Sequence, residues 1–261
     1  MRIDILTLFP EMFEGPLSES ILRQAREKGL LEIELTNIRD FARDKHRTAD
    51  DYQYGGGSGM VMKPEPIFRA LEAVRDRAAP AERSATILLS ARGRLFDQRL
   101  AAEIAGMEHL ILICGRYKGV DERVSTLATH EISIGDYVLS GGEISALVVV
   151  EAVSRLIAGV VGNTASIQTD SFHRGLLGFP QYTRPRSFRG MTVPNVLLSG
   201  DHRMIQRWRL KQAFRRTLQR RPELVQQVRL GPDESSLFEE AKAELDVERC
   251  HKGIVQKSFG K

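Results

Sequence analysis

The amino-acid sequence predicts an α/β protein with a mostly parallel sheet, followed by a small all-α domain. Three observations support this prediction. Strands and helices alternate along the first half of the chain, as in folds whose parallel strands are joined by helices. The 261 residues are 42% hydrophobic, which suffices for a globular core. The last third carries a long basic helix and then an acidic amphipathic one from Asp233.

The elements of the predicted sheet follow one another in a regular order. The predicted strands are RIDILTL, LEIELTNI, ATILLS, HLILICG and EISIG. The predicted helices between them are SESILRQAREKG, PEPIFRALEAVRDRA, DQRLAAEIAG and VDERVSTLA. A polar, glycine-rich loop is expected from Arg39 to Lys63.

The stretch SIGDYVLSGGE, from Ser133 to Glu143, contains three glycines between two apolar segments. Ser140 and Glu143 have the spacing of a capping box, which would make Gly141 and Gly142 the first residues of the helix EISALVVVEAVSRLIAG. Their bare backbone could hydrogen-bond a flat polar heterocycle, or they could form a tight turn that binds nothing. Composition leaves both interpretations open.

Three strands end in loops suited to ligand binding: LSARGR, CGRYKGVDER and SIGDYVLSGGE. Ligands of parallel sheets bind at the carboxyl ends of the strands, where these loops would meet. No P-loop motif occurs, and no G-x-G-x-x-G follows the first strand, which disfavours a Rossmann-type methyltransferase or other nucleotide enzyme.

Charge is concentrated in one segment. Residues Leu176–Arg221 contain eleven Lys and Arg but one acid, a net charge of +10 in a chain whose total is +4. Such a segment predicts a polyanion partner, although a solvated helix face would give the same composition. A non-catalytic RNA-binding or ribosome-assembly protein would fit the basic helix equally well, but not the three glycine-bearing loops.

The sequence also points to a cytoplasmic protein. The amino terminus lacks the features of a signal peptide, and the longest apolar stretch is interrupted by Glu151 and Arg155. Cys114 and Cys250 have no partner motif for a disulfide framework or a zinc site, as expected in a reducing compartment.

Seven segments together resemble the TrmD family of bacterial tRNA (guanine-N1)-methyltransferases, of the knotted SPOUT class. They are ILTLFPEMF, DKHRTADDYQYGGGSGMVMKPEP, LSARGR, CGRYKGVDERV, SIGDYVLSGGE, PQYTRP and WRLKQAFRRTLQRRPEL. The resemblance implies a deep trefoil knot, a rare exception to the rule against knotted chains. It also implies a knotted donor-binding domain at 1–160, a flexible linker or lid at 161–175 and a basic tRNA-binding domain at 176–261.

The resemblance further implies S-adenosyl-L-methionine as the methyl donor, bound in the knot by the three loops. The implied donor-binding residues are Leu89, Ser90, Gly115, Tyr117, Ile134, Gly135, Tyr137, Val138, Leu139, Gly141 and Gly142. The target is N1 of the guanosine 3′ to the anticodon, position 37, in tRNAs with a preceding guanosine. The family works as a homodimer in which the two subunits share each active site.

Two catalytic residues are implied by match to the family. Asp170 would accept the N1 proton, and Arg155 would stabilise negative charge on O6. From the residues alone, Asp170 could instead cap a turn, and Arg155 could form an i,i+4 ion pair with Glu151. The predicted RNA-binding residues are Asp50, Arg184, Arg207, Arg215 and Arg216.

The last two predictions concern magnesium and the linker. The resemblance implies assistance by Mg²⁺, but Lys118 stands where relatives typically carry a glutamate, in GRYKG instead of GRYEG. We therefore expect a weaker dependence on Mg²⁺, unless Lys118 only points into solvent. Residues 164–174 are expected to be mobile without RNA and to become ordered with donor and tRNA.

Overall fold

The computed structural model describes residues 1–162, 169–226 and 228–258, with side chains up to Glu248. The chain divides into two compact units, Met1–Thr164 and Ala165–Lys261, and each is described by itself. Within the described part of the chain, no helix is both long and apolar enough to cross a membrane.

The first unit is built on a parallel sheet of five strands in the order β2-β1-β6-β5-β7. Its strands are β1 (Arg2–Thr7), β2 (Glu32–Asn37), β3 (Asp50–Tyr52), β4 (Met60–Met62), β5 (Ser84–Leu95), β6 (His109–Cys114) and β7 (His130–Ser133). Strands β3 and β4 form a separate antiparallel hairpin. The predicted parallel sheet is thus confirmed, whereas the loop expected from Arg39 to Lys63 contains this hairpin.

Helices cover both faces of the sheet. They are α1 (Glu14–Leu17), α2 (Ser20–Glu27), α3 (Pro64–Arg77), α4 (Gln98–Ala105) and α5 (Glu143–Ser154). Helices α2, α4 and α5 pack on one face, and α3 packs on the other. Every residue of β6 is buried, which explains its continuous apolar sequence in a sheet covered on both sides.

A buried aspartate, Asp4, joins the amino ends of the neighbouring strands β1 and β6. The Asp4 carboxylate accepts a 2.7 Å hydrogen bond from Nε of Arg2 and lies 2.8 Å from Nε2 of His109, the first residue of β6. Burial alone raises the pKa of Asp4, but hydrogen bonds from His109 and Arg2 outweigh it, and the pKa falls from 3.8 to about 2. The ionised carboxylate therefore stabilises this end of the sheet.

Strand β7 forms an unusual ladder with β5. Ile132 pairs with both Leu89 and Arg94, so the four residues between those two positions leave the ladder and return to it. A Cβ on Gly93 would lie 2.3 Å from the backbone nitrogen of Ile132, closer than any side chain allows. Glycine at position 93 is therefore required for the two backbones to approach here.

The described residues of the second unit form helices and one short hairpin, joined by loops. Its elements are β8 (Ser187–Phe188), β9 (Met191–Thr192), α6 (His202–Arg220), α7 (Pro222–Val225) and α8 (Pro232–Ser258). Phe214 of α6 meets Phe238 of α8 edge-on at 5.4 Å between ring centroids, in a core shared with Leu237 and Ala241. The basic and acidic helices are confirmed, but the sequence did not predict the β8–β9 hairpin.

The long basic helix begins at a side-chain cap. The Asp201 side chain caps α6 by accepting hydrogen bonds from the backbone N–H groups of Arg203 and Met204, each at 3.0 Å. The helix ends at Arg220, just before Pro222. The predicted linker is described only in part, because residues 163–168 lie outside the described residues, and its expected ordering stays a prediction.

Candidate functional site

A cavity of about 970 Å³ lies at the carboxyl ends of strands β5, β6 and β7. Its walls come from residues 88–92 within β5, 115–123 after β6 and most of 132–142 at and after β7. The β3–β4 hairpin supplies residues 51–54, 61 and 62, and the start of α3 with the residue before it supplies 63–65. The three glycine-bearing loops of the sequence therefore lie together at one edge of the sheet, where ligands of parallel sheets bind.

The structure brings all the predicted donor-binding residues into this cavity. Those eleven lining residues are Leu89, Ser90, Gly115, Tyr117, Ile134, Gly135, Tyr137, Val138, Leu139, Gly141 and Gly142. Four of them expose large side chains, and Val138 is 93% exposed. Apolar surface on the wall of a concave site is typical of a site that binds an organic ligand.

Gly135 makes a sharp turn after β7. Its φ of +152° is one that side chains rarely allow, and a Cβ there would lie 2.3 Å from the ring of Tyr137. That ring folds back, so that the Tyr137 hydroxyl donates a 3.1 Å hydrogen bond to the carbonyl oxygen of Ile134. Glycine therefore permits a compact loop that presents backbone to the cavity.

Gly142 brings the start of α5 against the end of β6. Its N–H donates a 2.8 Å hydrogen bond to the carbonyl oxygen of Gly115. A Cβ on Gly142 would lie 2.9 Å from the Cα of Cys114, although the φ of −79° at Gly142 suits any residue. The requirement for glycine at this position therefore comes from close approach and not from backbone strain.

The predicted capping box at the start of α5 is wrong. The helix begins at Glu143, its cap residue is Gly142, and no side chain caps it. The Glu143 carboxylate is fully buried, where it accepts hydrogen bonds from Thr7 at 2.9 Å and from Nε of Arg116 at 3.1 Å. A buried charge needs such partners, so Glu143 cannot turn back to its own helix end as the box requires.

Arg116 connects this buried carboxylate to the cavity wall. Its guanidinium carbon lies 4.3 Å from the ring centroid of Phe9, and Arg116 itself lines the cavity. The carboxylate thus fixes strand β1, the loop after β6 and the start of α5 relative to one another. The sequence analysis did not identify the group formed by Thr7, Arg116 and Glu143.

Lys118 lies on the cavity wall and is exposed. Its backbone N–H donates to the carbonyl oxygen of Met60 at 3.0 Å, and its side chain lies beside Gly59. Among the residues described, no three His, Cys, Asp or Glu side chains gather as metal ligands do. The expected weaker dependence on Mg²⁺ stays a prediction.

The two predicted catalytic residues belong to different units. Arg155 is the half-buried residue that ends helix α5, and it is not among the residues lining the cavity. Asp170 is exposed near the start of the described part of the second unit. Each has at least one further interaction within the protein.

The predicted RNA-binding residues do not lie together in one place. Asp50 opens the β3–β4 hairpin of the first unit, and Arg184 is exposed in the second. Arg216 donates to the carbonyl oxygen of Gly178 at 3.4 Å. Arg207 and Arg215 form ion pairs with acids of α8.

Helix α8 neutralises one face of the basic helix. Successive turns of α6 place Arg207, Lys211 and Arg215 opposite Glu240 and Glu244 of α8, with N–O distances of 2.5 to 2.9 Å. Hydrogen bonds from Lys211 lower the pKa of Glu240, so this acid stays ionised at neutral pH. Net charge along the sequence therefore overstates the positive charge that α6 presents.

Comparison with known proteins gives consistent matches. The family model described as tRNA (Guanine-1)-methyltransferase TrmD matches residues 1–227. The tRNA (guanine-N(1)-)-methyltransferase of Dictyoglomus turgidum is 56% identical over 248 residues, which cover 95% of this chain and 99% of that relative. Those of Moorella thermoacetica (56% over 241 residues; 92% and 96% covered) and Enterococcus faecalis (50% over 244; 94% and 99%) are similar over comparable lengths.

Proposed function

The chain belongs to the tRNA (guanine-1)-methyltransferase TrmD family, and from this premise we propose how its two units divide the reaction. The protein is an enzyme that methylates N1 of guanine in tRNA, and its family implies S-adenosylmethionine as the donor. The first unit holds the donor, and the second binds the tRNA and supplies the base. As a tRNA-modifying enzyme, it acts in the cytoplasm.

The cavity at the ends of β5, β6 and β7 is the donor site in this proposal. The observation that carries it is the convergence of all eleven implied donor residues on one cavity wall. S-adenosylmethionine supplies a methyl group attached to a positively charged sulfur. Backbone around Gly135, Gly141 and Gly142, which no Cβ covers, would hydrogen-bond its polar groups, while the exposed side chains of Tyr137 and Val138 would contact its apolar surface.

Proton transfer at guanine requires two groups of opposite character. N1 carries a proton at neutral pH, and negative charge develops on O6 as this proton leaves. The Asp170 carboxylate accepts the N1 proton, and the guanidinium of Arg155 stabilises the charge on O6. No step of this proposal is assigned to a metal ion.

The tRNA target is guanosine 37 preceded by a guanosine. Asp50 is suited to reading that preceding base, because its hairpin neighbour Asp51 lines the donor cavity. Arg184, Arg207, Arg215 and Arg216 would bind phosphate groups, which position an RNA without reading its sequence.

The active form in this proposal is a homodimer whose two subunits share each site, built on a trefoil-knotted first unit. Membership of the TrmD family supports sharing, because the resemblance to that family implies it. The excursion between Leu89 and Arg94, with Ile132 paired at both ends, supports a crossing of chain segments at β7.

Mass spectrometry of tRNA nucleosides tests the target. Purified protein, S-adenosylmethionine and a tRNA transcript with guanosines at positions 36 and 37 should produce 1-methylguanosine. A transcript with adenosine at position 36 is the matched control and should remain unmethylated. Equal methylation of both transcripts would contradict the requirement for the preceding guanosine.

Subunit complementation tests sharing of the site. Arg155→Ala and Asp170→Asn proteins should each be inactive. After mixing in equal amounts and exchange of subunits, half of the dimers are mixed and each has one intact shared site, so activity should recover to about a quarter of wild type. If both residues of each site came from the same subunit, mixing would restore nothing.

A further inference from the structure

A second cavity, of about 570 Å³, lies entirely within the second unit. Residues 179–184 form one wall, and Arg186, Ile205 and Arg209 contribute to the others. The cavity therefore combines apolar side chains with three guanidinium groups. The proposed donor site does not include this cavity.

Arg209 is the central cation of this cavity. Its guanidinium carbon lies 5.0 Å from the ring centroid of Phe179. Its Nε atom is buried and has no hydrogen-bond partner within the described residues. A buried donor without an acceptor costs free energy, so an anionic or polar ligand that satisfied this arginine would be stabilised.

The arginines of the cavity differ from those on the neighbouring face of α6. Arg184, Arg186 and Arg209 form no ion pair with any residue that the structure describes, whereas Arg207 and Arg215 are neutralised by acids of α8. The cavity therefore keeps positive charge, whereas the face of α6 that carries Arg207 and Arg215 is neutralised by α8. Planar, unpaired guanidinium groups suit a phosphate oxygen or the edge of a base.

An aromatic surface accompanies this charge. Tyr182 lines the cavity and is 50% exposed, and its ring centroid lies 6.5 Å from that of Trp208. Exposed aromatic rings beside arginines are typical of proteins that hold unstacked RNA bases. Trp208 is the single tryptophan of the chain, so its fluorescence reports on this cavity.

The cavity adjoins the proposed catalytic base along the chain. Thr169, the residue before Asp170, lines it. The residue after Asp170, Ser171, accepts a 2.9 Å hydrogen bond through Oγ from the backbone N–H of Gly178, next to Phe179 in the wall. A ligand in the cavity would therefore lie close to the segment that carries Asp170.

We propose that this cavity binds one unstacked nucleotide of the tRNA substrate. The base contacts Tyr182, and the guanidinium groups of Arg184, Arg186 and Arg209 hold its phosphate and polar edge. This inference rests on the proposed function, because it takes the RNA to be the tRNA whose guanine Asp170 deprotonates. Occupation of the cavity positions the Asp170 segment toward the target guanosine.

Affinity for tRNA in the full-length enzyme is the first test. Arg209→Met removes the charge and every donor at nearly constant volume, and it should weaken tRNA binding about tenfold. Arg203→Met makes the same charge change on the same helix outside the cavity and should cost about twofold. Equal losses in the two variants would overturn the proposal, since the cavity would then contribute only general charge.

Fluorescence of Trp208 is the second test, and its first measurement uses the wild-type protein. Titration with an anticodon stem-loop RNA should quench Trp208 emission in the wild type. Tyr182→Phe should retain the quenching, and Tyr182→Leu should weaken RNA binding while leaving donor affinity unchanged. Unaltered emission at saturating RNA, or emission that changes with protein concentration instead of RNA, would overturn the proposal.

Methylation assays separate this inference from the proposed function. If the enzyme forms 1-methylguanosine but Trp208 emission and the Arg209→Met affinity do not respond, the cavity proposal fails and the function stands. If no methylated tRNA forms but the stem-loop quenches Trp208, the cavity binds RNA and the proposed function fails.

Discussion

The proposed donor cavity of the first unit and the arginine-lined cavity of the second are built in different ways. The first depends on backbone, because Gly93, Gly135 and Gly142 stand where a Cβ would collide with neighbouring atoms. The second depends on side chains, because Arg209, Phe179 and Tyr182 form its charged and aromatic surfaces. A backbone site tolerates few substitutions at its glycines, whereas a side-chain site can lose contacts one at a time.

This difference also concerns charge. The donor cavity combines backbone groups with local ion pairs such as Asp121–Arg123, in which the hydrogen bond from Arg123 lowers the pKa of Asp121. The second cavity carries arginines without acidic partners among the described residues. Binding of a polyanion should therefore depend strongly on salt in the second unit, and donor binding should depend on it weakly in the first.

Removal of the proposed base should produce the largest effect. It tests whether proton transfer by the second unit can be separated from donor binding by the first. Asp170→Asn should lower turnover roughly 10²-fold or more, because an amide cannot accept the N1 proton. Donor and tRNA affinities, measured by calorimetry and filter binding, should stay within about twofold, since neither binding surface loses a contact.

Asp233→Asn is the control for loss of one negative charge from the same unit, and it should leave turnover unchanged. Near-normal single-turnover rates for Asp170→Asn would show that another group accepts the proton. A large loss of donor affinity instead would mean that the two regions do not act separately.

A single methyl group in the backbone-built site should produce the second largest effect. Gly142→Ala places a Cβ 2.9 Å from the Cα of Cys114, and overpacking of this kind costs about 2 to 3 kcal/mol. Relief of this overlap displaces the start of α5 from the donor site, so we expect donor affinity to fall about 30- to 150-fold by calorimetry, with tRNA affinity retained.

The matched control is Gly15→Ala, which adds the same methyl group at a position with no atom within 4 Å. It should bind the donor like wild type. Unchanged donor affinity in Gly142→Ala would mean that the start of α5 can move away from β6 at no cost, and the first site would not depend on its backbone as described.

The sequence predicted the first site better than the contacts that hold it in place. Loops at the ends of parallel strands must meet at one edge, so the order of strands and helices alone placed them together. The partner of Glu143 could not be found in this way, because Thr7 lies 136 positions away and local spacing favoured a capping box. Long-range burial decided the role of that carboxylate.

In the second unit, the sequence predicted which helix carries the arginines, but not which of these arginines lack an acidic partner. Arginine spacing predicted a basic helix, and Asp201 marked its start. The pairing of these arginines depends on how α8 packs against α6. The periodicity of each helix does not show which residues of the two helices face each other. The cavity beside Arg209 follows from the fold of residues 179–186, where the sequence predicted an RNA contact at Arg184 but no cavity.

A third prediction concerns the end of the sheet opposite the donor cavity. There, hydrogen bonds between side chains stabilise the first unit. Asp4→Asn should lower the free energy of unfolding by about 2 kcal/mol at pH 7, because the pKa of Asp4 is lowered from 3.8 to about 2 in the fold. A group whose pKa is lowered by folding stabilises above its unfolded pKa. The difference from wild type should therefore be full above about pH 4 and vanish as pH falls through about 2.

Denaturant unfolding followed by circular dichroism at several pH values measures this effect. Asp76→Asn, which removes an exposed carboxylate from α3, is the control and should unfold like wild type. A stability difference for Asp4→Asn that stayed constant down to pH 2 would exclude its ionisation as the cause.

The smallest expected effect concerns the acids that neutralise α6. It tests whether tRNA binding by the second unit depends on arginines and lysines that have no acidic partner. Glu244→Gln removes the carboxylate that pairs with Lys211 and Arg215 at 2.5 and 2.9 Å, so both cations become more available to phosphate. We expect tRNA affinity to rise about twofold and its dependence on salt to become steeper, with a log–log slope larger by about one. Glu239→Gln makes the same charge change on the same helix, at a residue without an ion pair among those described, and should alter neither quantity. A fall in tRNA affinity in Glu244→Gln would mean that the acids hold Lys211 and Arg215 in their RNA-binding geometry, and both faces of α6 would then belong to the tRNA surface.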